Sequence, residues 1–230
     1  MTQQTLAIID YGSGNLRSAA KAFEHVIEEK QLDIRVIVTN SAEDVRRADR
    51  IVLPGQGSFG DCMQGLQSLE GMIDALESRV LKDKKPFLGI CVGMQLLADR
   101  GLEHGEHKGL GWISGDIVPI KPSNSSVKIP HMGWNTVDYT DHAQSCASFL
   151  NSASKTKENN KNKAPFFYFV HSFMFDSKEE ENILGFCHYD GAVTAIVGRD
   201  NILGVQFHPE KSQADGLDLL NGFLQWQTNI

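Results

Sequence analysis

The sequence predicts an α/β fold in which a mixed, mainly parallel sheet carries helices on both faces. Three observations predict it. Short apolar runs alternate with amphipathic helical stretches through the first half of the chain. A Gly-x-Cys-x-Gly unit (Gly89, Cys91, Gly93) sits where one of those runs turns into a helix. The last strand-like run passes directly into His208-Pro209-Glu210. A length of 230 residues suits one domain with a sizeable core. A hydrophobic share of 41% beside a charged share of 22% is that of an ordinary soluble globular chain.

Residues 5–9 read as the first strand. They lead into Asp10-Tyr11-Gly12-Ser13-Gly14-Asn15 and a helix whose apolar face is Leu16, Ala19, Ala20, Phe23, Val26 and Ile27. That turn resembles a phosphate loop but lacks a third glycine and a Gly-Lys-Ser/Thr, so it reads as a tight βα turn. Residues 34–38 form a second strand. Ser41 then caps a short helix, with Asp44 placed to answer it in a capping box. Residues 50–53 form a third strand, and the β-α-β-α-β order implies a parallel sheet. Pro54-Gly55-Gln56-Gly57 follows at the strand's carboxyl end, where such sheets bind ligands. Its glycines let backbone N–H groups turn toward an anion; a plain flexible loop is the alternative. Helices at 61–68 and 72–82 precede the strand 87–90.

Beyond residue 100 the pattern becomes Gly-rich, with an antiparallel strand expected at 113–120. His104 and His107 sit three apart in a Gly-containing loop, a poor metal site, so none is read there. The segment 129–135 (Ile-Pro-His-Met-Gly-Trp-Asn) is too apolar for an ordinary turn and is either buried or held for a partner. Residues 151–163 are polar and aperiodic, which predicts a mobile, solvated insertion rather than a domain boundary. Strands are expected at 166–170, 183–189, 193–197 and 202–207, and a closing helix at 214–226.

The chemistry concentrates at Cys91. A strand, a sharp turn and a helix with a thiol at the apex form a nucleophile elbow, in which the flanking glycines let strand and helix cross. A helix start there favours the thiolate. A small Cys that merely packs is the plainer reading, and the two glycines favour the nucleophile over it. His208 and Glu210, two apart in an extended segment, would face one crevice as a base and the carboxylate that orients it. The other cysteines, Cys62, Cys146 and Cys187, show no CxxC or disulfide spacing. No signal peptide or long apolar run is present, so a cytoplasmic chain with reduced thiols is expected. A net charge of −7 without a Lys/Arg stripe argues against nucleic acid, and no cofactor motif appears.

Gly89-Ile90-Cys91-Val92-Gly93-Met94-Gln95 with Phe207-His208-Pro209-Glu210 resembles the class I, triad-type glutamine amidotransferases. Asp10 to Asn15, Pro54-Gly55-Gln56-Gly57, Pro130-His131-Met132-Gly133-Trp134-Asn135 and Phe169-Val170-His171-Ser172 narrow the resemblance to the glutaminase subunits of imidazole glycerol phosphate synthases, over nearly the whole chain. The resemblance implies a flavodoxin-like amidotransferase fold as one domain over 1–230. It implies glutamine hydrolysis by Cys91, His208 and Glu210, with an oxyanion hole from the backbone of Val92 and of the Gly55, Gln56, Gly57 loop. Gln95 and the main chain at His171, Ser172 and Phe173 would hold glutamine. The implied partner is a (β/α)₈-barrel cyclase subunit, in a heterodimer, met through Asn15, His131, Met132, Trp134, Asn135 and Lys211. No metal, nucleic acid or membrane enters. Gln56 stands where a small apolar residue is common. Three other readings share parts of the pattern: an amidotransferase subunit of another synthase, for amino-sugar or cofactor assembly; a flavodoxin-like Cys protease or deglycase; and a non-enzymatic interaction subunit, which would keep the fold but lose a triad member, and none is missing here. A core Trp134 and a solvated Lys211 are the plain alternative to the docking residues.

Overall fold

A computed structural model describes residues 3–152 and 164–228. In chain order the elements are β1 (Gln4–Ile9), α1 (Leu16–Glu29), β2 (Ile34–Thr39), α2 (Ala42–Arg47), β3 (Arg50–Gly55), α3 (Phe59–Ser68) and α4 (Met72–Leu76), the last running on as a π-helical segment, Glu77–Lys82. Then come β4 (Phe87–Cys91), α5 (Val92–Gln95), β5 (Arg100–Gly101), β6 (His107–Lys108), β7 (Gly115–Pro119), β8 (His131–Thr136), β9 (Asp138–Tyr139), α6 (Asp141–Cys146) and α7 (Phe149–Ser152). The chain closes with β10 (Phe166–His171), β11 (Phe173–Ser177), β12 (Ile183–His188), β13 (Ala192–Arg199), β14 (Ile202–Val205) and α8 (Gln213–Gln225).

The main sheet runs β2-β1-β3-β4-β14-β13-β12-β9. Its first five strands are parallel, and β13, β12 and β9 extend it antiparallel. This is the mixed, mainly parallel α/β sheet that the alternation predicts. The central strands are apolar along their whole length because both faces are covered; Ile51, Val52, Leu53, Phe87 and Leu88 have no exposed surface. Helices α1 and α8 meet through Phe23 and Phe223, whose ring centroids lie 6.2 Å apart. Buried Arg50, at the start of β3, ties the sheet to the end of α8 by donating to the carbonyls of Phe223 and Trp226.

Several local expectations change. Ser41 does cap α2, accepting the Asp44 N–H at 3.4 Å. The Asp44 carboxylate does not return to the Ser41 N–H, however. It accepts the Thr39 hydroxyl (2.6 Å), and that hydroxyl accepts the Ser41 N–H (3.0 Å), so Thr39 relays the second half of the box. The helix after Cys91 is a single turn, too short to bring a full macrodipole to the thiol. Segment 129–135 is largely a strand: β8 pairs antiparallel with β10, a partner some 35 residues away that local pattern does not reveal. The expected insertion at 151–163 lies, from residue 153 on, outside the described residues. No helix among the described residues is long and apolar enough to cross a membrane.

Candidate active site

The carboxyl ends of β3, β4 and β14 are neighbours in the sheet, and the chain leaves each of them with a reactive or anion-binding segment. Cys91 ends β4 with φ +56° and ψ −114°, a conformation that costs a non-glycine residue about 1–3 kcal/mol. Close packing enforces it. A Cβ on Gly93 would lie 1.8 Å from the Leu53 carbonyl oxygen, and one on Gly89 would lie 2.5 Å from the Gly93 oxygen. The elbow is therefore pressed against β3 on one side and against its own strand on the other.

His208 follows β14 and hydrogen-bonds through Nδ1 to the Glu210 carboxylate at 2.9 Å. The pair is not built by strand alternation. Pro209, Glu210 and Lys211 form a 3₁₀ turn that folds the carboxylate back under the ring, as the fixed φ of Pro209 favours. Ser212 locks that turn: its hydroxyl donates to the His208 carbonyl (2.6 Å) and accepts the Tyr168 N–H (3.0 Å). Burial pulls the His208 pKa down, but its hydrogen bonds to Cys91 and Glu210 outweigh that and raise it to about 9. His208 thus stands between Cys91 and Glu210, with both its side chain and that of Glu210 almost sealed from solvent.

These groups border a cavity of about 300 Å³, a size suited to an amino-acid-sized ligand. Gln56, Gly57, Cys91, Val92, Gln95, His171, Ser172, Phe173, His208 and Lys211 all line it. Gly55 does not. A Cβ there would meet the Gly93 nitrogen at 2.6 Å, so its smallness serves packing against the elbow. The Gln56 N–H is also engaged elsewhere: it donates to the Ser13 hydroxyl at 3.2 Å, and that hydroxyl donates back to the Gln56 carbonyl. Gly57 next to it has φ +111°, which few other residues adopt. Val92 N–H opens α5 and belongs to the amides a helix start leaves without an intrahelical partner.

The residues expected at a docking surface divide by strand alternation. Met132 and Trp134 face outward, 65% and 39% exposed, and Trp134 stacks on Phe166 at 5.4 Å. Phe166 is itself 38% exposed, so the stacked pair is an exposed apolar surface. His131 and Asn135 face inward. His131 is 3% exposed, stacked between Phe169 (4.8 Å) and Tyr189 (4.0 Å). The Asn135 amide donates to the His188 carbonyl at 3.0 Å. His131 is thus no surface contact, while Asn135 and Asn15, the latter at the N-cap of α1, are half-buried. His131 instead backs the cavity wall through its hydrogen bond to His171, which lines the cavity. His171 Nδ1–H donates to the Phe173 carbonyl (2.8 Å), which leaves its Nε2 to accept from His131 Nδ1–H (2.9 Å). Burial holds both imidazoles neutral, with pKa values lowered to about 4.

Three residues at the site escape sequence reasoning. Glu103 lines the cavity and steadies α3 by accepting the Phe59 N–H at 2.8 Å; in a Gly-rich loop nothing marked it. Ser13 holds Gln56 from the first βα turn. Gln206 is fully buried and reaches the Cys91 sulfur. A lone amide inside the apolar run 202–207 was the available signal for it.

The profile of the family described as glutamine amidotransferase class-I matches residues 7–225. Among curated relatives, the protein named imidazole glycerol phosphate synthase subunit HisH from Rhodospirillum rubrum is 47% identical over 221 residues, covering 96% of this chain and 98% of that protein. Its namesake from Brucella suis is 48% identical over 222 residues, at 96% and 99% coverage. That from Zymomonas mobilis is 47% identical, at 96% coverage of both. Among solved structures, one described as a glutamine amidotransferase superposes with a TM-score of 0.65 at 15% identity, over 95% of this chain and 97% of that one. A second, from Thermotoga maritima, gives 0.60 at 16% identity, over 91% and 77%. At such identities the two structures speak to the fold alone.

Proposed function

Because this chain belongs to the class-I glutamine amidotransferase family, we propose that it is the glutaminase subunit of an imidazole glycerol phosphate synthase in histidine biosynthesis. One observation carries the reading. A cysteine, a histidine and a buried carboxylate stand in sequence at the edge of an amino-acid-sized cavity, in a chain nearly half identical to proteins bearing that subunit name. The partner in this reading is a (β/α)₈-barrel cyclase. It uses the ammonia on a bisphosphorylated aminoimidazole ribonucleotide precursor, giving imidazole glycerol phosphate and an aminoimidazole carboxamide ribotide.

The chemistry follows from the groups present. Cys91, as thiolate, attacks the carboxamide carbon of glutamine and a C–S bond forms. The negative charge moves to the carboxamide oxygen, where Val92 N–H and a second amide from the Gln56–Gly57 segment stabilise it. His208, which holds its proton up to about pH 9, gives that proton to the departing nitrogen as the C–N bond breaks. Ammonia leaves and a γ-glutamyl thioester remains. The now neutral His208 takes a proton from water, the hydroxide adds to the thioester, and the C–S bond breaks to release glutamate. Glu210 keeps the ring oriented through both proton transfers. Gln95 and the 171–173 main chain form the walls that hold the substrate, and the Glu103 carboxylate is placed to pair with its α-ammonium group. Ammonia in open water at neutral pH becomes ammonium, which has no lone pair to attack with. The cavity must therefore open toward the partner, and the exposed Met132, Trp134 and Phe166 are the surface we assign to docking.

The test is Cys91→Ala in the complex with a barrel cyclase. Glutamine-dependent turnover should vanish while turnover on added ammonia and the affinity of the complex persist. Retained glutamine-dependent turnover would end the reading.

A further inference from the structure

Gln206 is a side-chain amide with no exposed surface that lies against the nucleophile. It follows β14 directly, its backbone N–H bonded to the Ala195 carbonyl at 2.8 Å, so its main chain is fixed by the sheet. Its side chain is fixed at both ends. The carbonyl oxygen accepts from Gln95 Nε2 at 3.0 Å, and its own Nε2 donates to Cys91 Sγ at 3.7 Å.

The direction of this chain is set by chemistry. Gln95 Nε2 also lies 3.5 Å from the Phe173 carbonyl, which can only accept. The nitrogen end of Gln95 must therefore face both neighbours. Gln206 must then turn its oxygen to Gln95 and its nitrogen to the sulfur. A buried amide left without partners carries its desolvation cost uncompensated, so the orientation is held firmly.

We propose that Gln206 is a positioning residue for the nucleophile: it donates an N–H to the Cys91 sulfur and links that sulfur, through Gln95, to the wall of the substrate cavity. A donor facing sulfur binds a thiolate more strongly than a thiol, because charge-assisted hydrogen bonds are the stronger kind. It also fixes the side-chain torsion of a residue whose backbone is already strained. Gln95, which forms one wall of the cavity, is thereby one hydrogen bond from the amide that holds the nucleophile. The catalytic part of the proposal rests on the glutaminase reading above; the sulfur contact does not.

The experiment uses the full chain and two readouts. The first is alkylation by iodoacetamide, with modification of Cys91 and of the partly exposed Cys146 quantified separately by mass spectrometry. A hydrogen bond to an ionised group is worth a factor of about 10 to 100. Gln206→Leu should accordingly slow Cys91 alkylation about tenfold or more at neutral pH and leave Cys146 unchanged. Gln206→Glu keeps the shape. Ionised, it faces the sulfur with an acceptor; protonated, it offers one O–H and one oxygen, as the amide does. Its alkylation rate relative to the native protein should therefore be low at pH 8 and recover toward pH 5. The neighbouring Cys91, Glu103, His171, His208 and Glu210 are common to both proteins. The second readout is glutamine hydrolysis, where kcat should fall by a similar factor and KM should change by less than about threefold.

Cys91 alkylation within twofold of native in a folded Gln206→Leu protein would overturn the proposal. So would equal slowing or acceleration at Cys146, or a loss seen in KM alone, since those mark a structural role. Should the leucine variant not fold, the glutamate variant decides: a ratio flat with pH would overturn it. Alkylation needs no glutamine. A native protein that fails to hydrolyse glutamine would sink the glutaminase reading and leave this test standing.

Discussion

Replacing Ser13 by Ala should make the isolated chain a faster glutaminase. In the structure the Ser13 hydroxyl accepts the Gln56 N–H at 3.2 Å and donates to the carbonyl of the same residue, so one side chain holds the whole oxyanion segment. While it does so, that N–H is not available to a developing oxyanion. Cys62 Sγ, 3.5 Å from the Gln56 carbonyl, would still steady the oxygen end after the substitution. The decisive loss is therefore the single bond to the N–H, worth about 0.5–1.5 kcal/mol net. By the same principle the population with a free N–H rises about 2- to 12-fold, and the unstimulated rate with it. If the partner acts by releasing this segment, the rate in the complex with substrate bound to the cyclase should stay within about twofold. The assay is glutamate production with and without the partner, supported by circular dichroism. Gln56→Pro supplies the complement: with no N–H to donate, it should lose about 10²–10³ of the stimulated rate. An unchanged or lower basal rate in folded Ser13→Ala would refute the reasoning and move the missing donor to Gly57.

Two further outcomes follow from the site's surroundings. Trp134→Ala should weaken the complex by about 2 kcal/mol or more, measured by titration calorimetry, as truncating an aromatic anchor does, without unfolding the chain; unchanged affinity would remove the anchor role. Stability should peak near pH 6.5 in urea titrations. His131 and His171, lowered to about 4 against an ordinary 6.5, contribute stability that is complete above 6.5 and lost as pH falls toward 4. His208, raised to about 9, contributes stability that is complete below 6.5 and lost as pH rises through 9. A urea midpoint that climbs steadily from pH 7 down to 4.5 would contradict the histidine assignment.

The parallel half of the sheet was legible because a strand buried on both faces is written as an unbroken apolar run, as at 50–53 and 87–90, and because a nucleophile elbow needs glycine where backbones touch. What stayed hidden depends on distant partners. Pro130 and Gly133 make β8 look like a turn, and only pairing with β10 makes it a strand. His208 and Glu210 were paired correctly for the wrong local reason, since the 3₁₀ turn at Pro209 sets their contact. The inward aim of His131 and Asn135 was unreadable until β8 was known to be a strand. Ser13 and Gln206 act through hydrogen bonds to chain segments 43 and 115 residues away; a lone amide in an apolar run marks Gln206 as unusual, but no local pattern names the partner of either.

The alternation along β8 has a consequence for how such a subunit can diverge. Residues 132 and 134 look outward, while 131 pairs with His171 behind the cavity and Asn135 lies on the same face, against His131. A single strand thus carries two instructions in interleaved letters, one for address and one for chemistry. On the docking assignment proposed above, changing the even letters would redirect the subunit to a differently shaped acceptor of ammonia and leave the glutamine site as it was. Changing the odd ones would disturb the packing behind that site without altering the address. Inheritance of one glutaminase by many synthases needs that kind of separability, and here it requires nothing beyond the twofold repeat of an extended chain.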